Sequence, residues 1–266
     1  MPRQNADEPR SAHDDRQPAL RLTGLHKAFG GKVAVRHVDL TVPQGSFFGL
    51  VGPNGAGKTT ALSMAVGLLR PDDGHSEVFG VDVWSHPVQA KALLGVLPDG
   101  LAMPEQLTGR EVLTFIGRLR GIEPAVLTER VDELLDITQL NDAERTLVVD
   151  YSTGMRKKIG LAAALLHRPR LLVLDEPFEA VDPVFGATLK TILLRFVASG
   201  GSAILSSHVM ALVEQLCDTV AIMAEGNVVA AGPLNEVRGD STLEEAFVRL
   251  VGADARAGEG LSWLAF

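Results

Sequence analysis

Apolar positions in this chain form short continuous runs near its start and towards its end, and three- and four-residue repeats in its middle. Leu20 to Leu50 reads as short strands, with turn signals at Gly30-Gly31 and Pro43-Gln44-Gly45. Phe47-Phe48-Gly49-Leu50-Val51 is unbroken apolar sequence, the pattern of a strand covered on both faces. A glycine-rich turn follows it, and helical spacing then runs from Lys58 to Leu69, closed by Pro71-Asp72-Asp73-Gly74. The stretch from Pro87 to Leu166 is mostly helical, with apolar repeats over Thr108–Leu119 and Leu127–Leu140. Thr108 with Glu111 spells a capping box, and Thr128 marks a second candidate helix start. Strand character returns at Leu171–Leu174, Ser202–Ser206 and Thr219–Met223, with a helix around Val209–Leu216 between the last two. Ser241-Thr242-Leu243-Glu244 opens a final short helix. The alternation predicts an α/β fold, a parallel sheet flanked by helices with a helical insert in its middle.

Composition narrows the function classes. At 266 residues, 46% of them apolar, the chain can bury a sizeable core as one large domain or one domain with an insert. A formal net charge of −8 argues against a surface that coats nucleic acid, so no nucleic-acid partner is expected. It does not argue against a local phosphate site, because backbone N–H groups and one lysine can hold an anion within an acidic protein. The single cysteine, Cys217, cannot form an internal disulfide and fits a reducing compartment. No run reaches the roughly 18–20 apolar residues of a membrane-spanning helix. Leu161–Leu166 and Leu171–Leu174 are separated by His167, Arg168, Pro169 and Arg170. Residues 1–18 are polar and of mixed charge, and they are expected to form a disordered tail without the apolar core of a signal peptide. Work at a membrane would therefore go through a partner.

Two segments carry chemistry. Gly52-Pro53-Asn54-Gly55-Ala56-Gly57-Lys58-Thr59-Thr60 satisfies the G-x-x-x-x-G-K-[ST] phosphate-loop pattern, with a strand before it and a helix after it. Glycines let the backbone curl so that N–H groups face phosphate oxygens, and the helix adds the positive end of its dipole. Lys58 places a charge against the β- and γ-phosphates, and the Thr59 hydroxyl is a candidate Mg²⁺ ligand. The second segment, Leu171-Leu172-Val173-Leu174-Asp175-Glu176-Pro177, is a buried-type strand that ends in two carboxylates. Asp175 would emerge at the carboxyl end of the sheet, holding Mg²⁺ directly or through water. Glu176 would act on the attacking water, as general base or as its orienter.

Between these segments lies Tyr151-Ser152-Thr153-Gly154-Met155-Arg156-Lys157-Lys158, which resembles the Leu-Ser-Gly-Gly-Gln signature of the ATP-binding cassette (ABC) ATPases. Ser152 and Gly154 match; Thr153 and Met155 depart, in a form similar to that of efflux-type cassettes. Further along, Val181-Asp182-Pro183 resembles the family's D-loop and Ser206-Ser207-His208 its switch region. Phe29, in Lys27-Ala28-Phe29-Gly30, matches the aromatic that stacks on adenine, and Thr242–Phe247 resembles a C-terminal element of single-domain efflux cassettes. After the strand near Gly95–Pro98 the family usually has glutamine, where this chain has Asp99. Two readings of Asp99 stand side by side: a magnesium ligand that engages on closure, or a solvated turn residue.

The resemblance implies a P-loop NTPase with a RecA-like parallel core, an N-terminal antiparallel β subdomain and a helical insert. It places an ABC ATPase domain at 19–240, with the helical subdomain near 88–166, and a C-terminal helix and tail at 241–266. It further implies ATP and Mg²⁺ as cofactors, Glu176 and His208 as catalytic residues, and Thr59, Asp175 and Asp99 as metal ligands. ATP would be held by Phe29, the 52–60 loop, Ser152, Gly154 and Asp182, with Ser152 and Gly154 meeting nucleotide bound by another cassette. The expected partners are a second cassette, identical or related, and a separate multi-span membrane permease, which would place the chain at the cytoplasmic face of the cell membrane. Efflux is the direction implied. A binding-protein-dependent importer subunit is the nearest alternative; a non-transport cassette and a binding-only regulator are the others. A single phosphate loop, a single cysteine and the lack of a long heptad run argue against the translation and DNA-repair types.

Overall fold

A computed structural model describes residues 17–100 and 102–252; the readings for residues 1–16 and 253–266 lie outside the described residues. The chain opens with strands β1 (Leu20–Phe29) and β2 (Lys32–Val42), a hairpin turning at Gly30-Gly31, and continues through β3 (Phe47–Val51) into helix α1 (Lys58–Ala65). Strands β4 (Asp73–Val78) and β5 (Val81–Asp82), helix α2 (Pro87–Leu93) and strand β6 (Leu94–Leu97) follow. Helices α3 (Gly109–Leu119), α4 (Pro124–Ile137) and α5 (Thr153–Leu165) lead to β7 (Leu171–Asp175), α6 (Pro183–Ala198), β8 (Ser202–Ser207) and α7 (Met210–Leu216). The described chain ends with β9 (Thr219–Ala224), β10 (Asn227–Pro233), α8 (Leu234–Arg238) and α9 (Leu243–Val251).

These strands build two sheets. The larger runs β10-β9-β3-β8-β7-β6, parallel throughout except for the antiparallel edge strand β10. The smaller is antiparallel, in the order β2-β1-β4-β5. Residues of β3, β7 and β8 are buried along their whole length, as unbroken apolar strands in the centre of a parallel sheet must be. Their two-residue alternation divides them between two cores. Phe48, Leu50, Val173 and Ile204 face the antiparallel sheet and α1, in one cluster with Leu20, Leu25, Val38 and Met64. Phe47, Val51, Leu172, Leu174 and Leu205 face the other way, against Phe185 and Leu189 of α6, Val213 of α7 and Leu243 of α9. A third cluster closes the insert, where Val112, Leu113, Val131, Leu135, Ile159 and Leu166 of α3, α4 and the α5 region pack together.

Several boundaries differ from the sequence reading. The first strands are long rather than short, 10 and 11 residues. Breaks in their alternation are bulges in the β1–β2 register, between Leu22 and Leu25 and again before Ala28, not strand ends. Gly24 sits in one of them with φ of 59°, its N–H donating to Asp39. Helix α1 stops at Ala65 rather than Leu69, because Gly67 takes φ of 74° and the Ser63 carbonyl accepts the N–H groups of both Leu68 and Leu69. Thr128 does not start a helix. Glu123 caps α4 by accepting Val126 N–H at 3.0 Å, Pro124 takes the first turn, and the Thr128 hydroxyl donates to the Pro124 carbonyl within the helix. The Thr108–Glu111 capping box is present, and the last helix carries a second one, Thr242 with Glu245.

Candidate active site

All parallel strands end on one edge of the large sheet, and the functional candidates leave from there. In register, Val51 of β3 lies beside Ser207 of β8, and Asp175 of β7 beside Ser206. The phosphate loop, Glu176 and His208 therefore begin where three neighbouring strands, β3, β7 and β8, end, and Asp175 is the last residue of β7. Asp99 follows β6, whose Leu97 pairs with Leu174.

The loop between β3 and α1 curls around its own lysine. Lys58, 6% exposed, donates from Nζ to the carbonyls of Gly52 at 2.7 Å and Pro53 at 3.3 Å. Gly57 forms the helix N-cap with φ of 100°, and a Cβ there would lie 2.5 Å from the Ala34 carbonyl oxygen. That position is closed to any other residue by backbone conformation and by space together. Gly226 N–H donates to the Ala56 carbonyl and Gly226 lies against Ala34, so β2, the loop and the β9–β10 turn brace one another.

Opposite the loop, Glu176 occupies the left-handed region with φ of 44°, which costs a side-chain-bearing residue about 1–3 kcal/mol. The turn aims its carboxylate back at the loop: Oε1 lies 3.7 Å from Lys58 Nζ and 3.1 Å from His208 Nδ1. Asp175 is nearly closed off, at 4% exposure. The Ser206 hydroxyl donates to its carboxylate and accepts Glu176 N–H at 3.0 Å.

A cleft of about 550 Å³ opens between these groups, within the size range of small-molecule sites. Its walls bring together Phe29, Asn54 to Thr60, Asp99, Glu176 and His208. Phe29 stands at the rim, half exposed, with Lys27 Nζ 5.6 Å from its ring centroid. Lys32, Val33, Ala34 and Glu179 complete the lining and were not singled out from sequence. The first three follow the Gly30-Gly31 turn beside Phe29, which was the available signal; Glu179 reads as an ordinary loop acid.

The cleft does not include Ser152, Gly154 or Asp182. Ser152 is exposed and caps α5, accepting Met155 N–H at 3.2 Å. Gly154 sits beside the Ala180 carbonyl, which a Cβ would approach to 3.1 Å. Asp182 caps α6, and the Phe185 N–H, with Lys158 3.5 Å away, holds its carboxyl below the usual aspartate range. Gly52, Pro53 and Asp175 are not among the residues that line the cleft: Gly52 and Asp175 are buried, and Pro53 is exposed outside it. Cys217 is a core residue whose thiol burial pushes far above its ordinary value, so it stays neutral. Among the described residues, no cluster of three His, Cys, Asp or Glu side chains could hold a metal by itself. The hydroxyl and carboxylate oxygens of Thr59 and Asp99 in the cleft still suit a hard cation that arrives with its phosphates, because Mg²⁺ needs only one or two protein ligands in such sites.

Residues 35–179 match the family model of the ABC transporter. The chain belongs to the ABC transporter family. The daunorubicin/doxorubicin resistance ATP-binding protein DrrA of Streptomyces peucetius is 38% identical over 239 residues, 90% of this chain and 72% of that protein. The bacitracin transport ATP-binding protein BcrA of Enterococcus faecalis is 35% identical over 219 residues, 82% of this chain and 70% of that protein. A solved ATP-binding subunit of an ABC transporter superposes with a TM-score of 0.82 at 28% identity, covering 88% of this chain and 99% of that one. The chain is thus an ABC transporter ATP-binding subunit and an ATPase, with the α/β fold and antiparallel β subdomain that its sequence implied.

Since Gly57 of this ABC subunit is closed to a side chain, Gly57→Ala is expected to weaken ATP binding at least about tenfold, from the strain of a left-handed alanine and the displaced loop. Titration calorimetry with ATP reads this; unchanged affinity would contradict the geometry described for the loop.

Proposed function

We propose that the chain works as one half of a cassette pair that closes around two ATP molecules and drives efflux through a separate multi-span permease. One observation carries this reading: Ser152 and Gly154 stand outside the chain's own cleft, at the exposed start of α5, while Lys58, Glu176 and His208 converge inside it. A hydroxyl and free N–H groups at a helix start suit an anion, and a second chain would present one there. In the closed pair, Ser152 and Gly154 of one chain meet the γ-phosphate held by Lys58 of the other, and Asp182 aligns the two sites.

Within each site Phe29 stacks on adenine, which supplies about 1–3 kcal/mol, and the 52–60 loop wraps the phosphates. Water attacks the γ-phosphorus as the bond to the β–γ bridging oxygen breaks and ADP leaves; Glu176 takes or steers the water's proton, and His208 contacts the γ-phosphate and helps hold the water in place. Thr59 and Asp99 are the residues that would hold Mg²⁺, with Asp175 acting through water; the ion neutralises phosphate charge when bound. Loss of the γ-phosphate removes the contact that joins the chains, and the pair reopens.

No helix among the described residues is long and apolar enough to cross a membrane, and in this reading the permease is a separate chain. Its docking place is the recess of about 320 Å³ beside the Asp99–Arg110 segment, lined by Ala102, Met103 and Pro104 with Leu68, Ile116 and His167. That arrangement would hold the chain at the cytoplasmic face of the membrane. The resistance and transport roles in the names of the relatives support export as the work performed.

Two variants test the proposal. Glu176→Gln is expected to bind ATP with near-normal affinity, lose at least about a hundredfold in turnover, and elute as a dimer in the presence of ATP. Wild-type turnover, or a monomer at saturating ATP, contradicts it. Asp99 stands in the cleft where the family usually has glutamine, and a binding-only regulator is the reading that its extra charge favours. Asp99→Gln is expected to keep or raise ATPase activity, measured as phosphate release; loss to background would show that the aspartate charge itself is required.

A further inference from the structure

The Glu176 turn is held from two sides, and only one of them belongs to the known motifs. Its N–H is bound by the Ser206 hydroxyl at 3.0 Å. Its carbonyl accepts Lys157 Nζ at 2.6 Å, and Glu179 N–H at 3.1 Å within the same turn. Lys157 lies on α5, in the second turn after Ser152, with a side chain only 14% exposed; Glu179, on the cleft wall, is its second partner at 3.6 Å. An ammonium clamped on the carbonyl of a left-handed residue fixes the peptide plane, and with it the direction in which the Glu176 carboxylate leaves the backbone. The neighbouring Lys158 makes a parallel tie, to Asp182 at 3.5 Å and over the Phe185 ring at 4.6 Å, but it reaches α6 rather than the reacting carboxylate.

We propose that Lys157 is a positioning residue for hydrolysis, acting through the Glu176 carbonyl, and that it couples the signature helix of each chain to the catalytic carboxylate of the same chain. This rests on the reading of Glu176 and of the ATP-closed pair given above. Ser152 at the start of α5 meets ATP bound by the partner, and Lys157 one turn further on holds the acid that acts on the chain's own ATP. A shift of α5 on closure is therefore felt at Glu176 with no intermediary beyond one side chain. The two ATP sites of the pair are thereby linked through each protomer's own helix.

The test is steady-state ATPase kinetics on the full chain for wild type, Lys157→Met, Lys157→Arg, Glu176→Gln and the Lys157→Met/Glu176→Gln double variant, each with a thermal melt. Lys157→Met removes the donor and keeps the length of the arm. It is expected to lower kcat about tenfold with KM for MgATP changed less than about twofold. Lys157→Arg is expected to recover most of the loss, and the methionine to add no further loss in the Glu176→Gln background. Unchanged kcat in Lys157→Met, a loss confined to KM, or a full additional loss without Glu176 overturns the inference. Should Lys157→Met fail to fold, Lys157→Gln, which keeps a donor on a shorter arm, enters the same cycle with an intermediate loss expected and the same outcomes against it. Wild-type turnover in Glu176→Gln would instead remove the catalytic role of Glu176, a separate failure read from the single variant alone.

Discussion

Three side chains from distant parts of the chain meet at one carboxylate oxygen: Glu176 Oε1 is 3.1 Å from His208 Nδ1 and 3.7 Å from Lys58 Nζ. The meeting depends on the parallel register of β3, β8 and β7, since each residue follows one of these strands. A slip of one residue in any of them would turn its inward side chains outward and carry its functional residue to the wrong face. That register is fixed by burial on both sheet faces, with Phe47 and Phe48, Leu172 and Val173, or Leu205 and Ile204 pointing to opposite cores. Lys58 is 6% exposed and Glu176 15%, so water screens this pair less than it would a pair on the surface. Incoming phosphate gives Lys58 a second anion, which is how binding and readiness for hydrolysis become the same event in the proposed cycle.

The insert is tied to this edge more closely than its separate core suggests. Gly95 of β6 lies so near α5 that a Cβ would come within 2.2 Å of the Ala164 carbonyl oxygen, so the end of α5 is packed directly on the sheet. Its start is fixed by Lys157 on the Glu176 carbonyl and by Lys158 beside Asp182. The helix thus spans from an exposed capped end at Ser152 to the core, touching the acidic loop on its way. A signal delivered at the exposed end has a short mechanical route to Glu176, the proposed catalytic acid.

Much of this arrangement was legible in the residues. The apolar runs at β3, β7 and β8 announced central parallel strands because nothing else buries both faces of a short segment, and the glycines, lysine and acids at their ends named the chemistry. What escaped was decided by contacts between distant segments. Bulges at Gly24 and before Ala28 masked two long strands as short ones, since a bulge breaks alternation just as a strand end does. Thr128 looked like a cap, but Glu123 supplies one from the residue before Pro124. Lys32 and Ala34 join the cleft only once the antiparallel sheet folds over the phosphate loop, and Glu179 only through the turn that follows β7. Lys157 carried no motif of its own; its bond to a carbonyl in another loop exists only in three dimensions.

The central claim is that the loop curled around Lys58 holds triphosphate, and that everything else in the cycle follows from its occupancy. Calorimetric titration of MgATP into the wild type and Lys58→Ala, under one set of conditions, tests it most directly. Saturable binding at one site per chain is expected for the wild type, with affinity falling at least about a hundredfold in Lys58→Ala. Equal affinity in the two proteins would contradict the account.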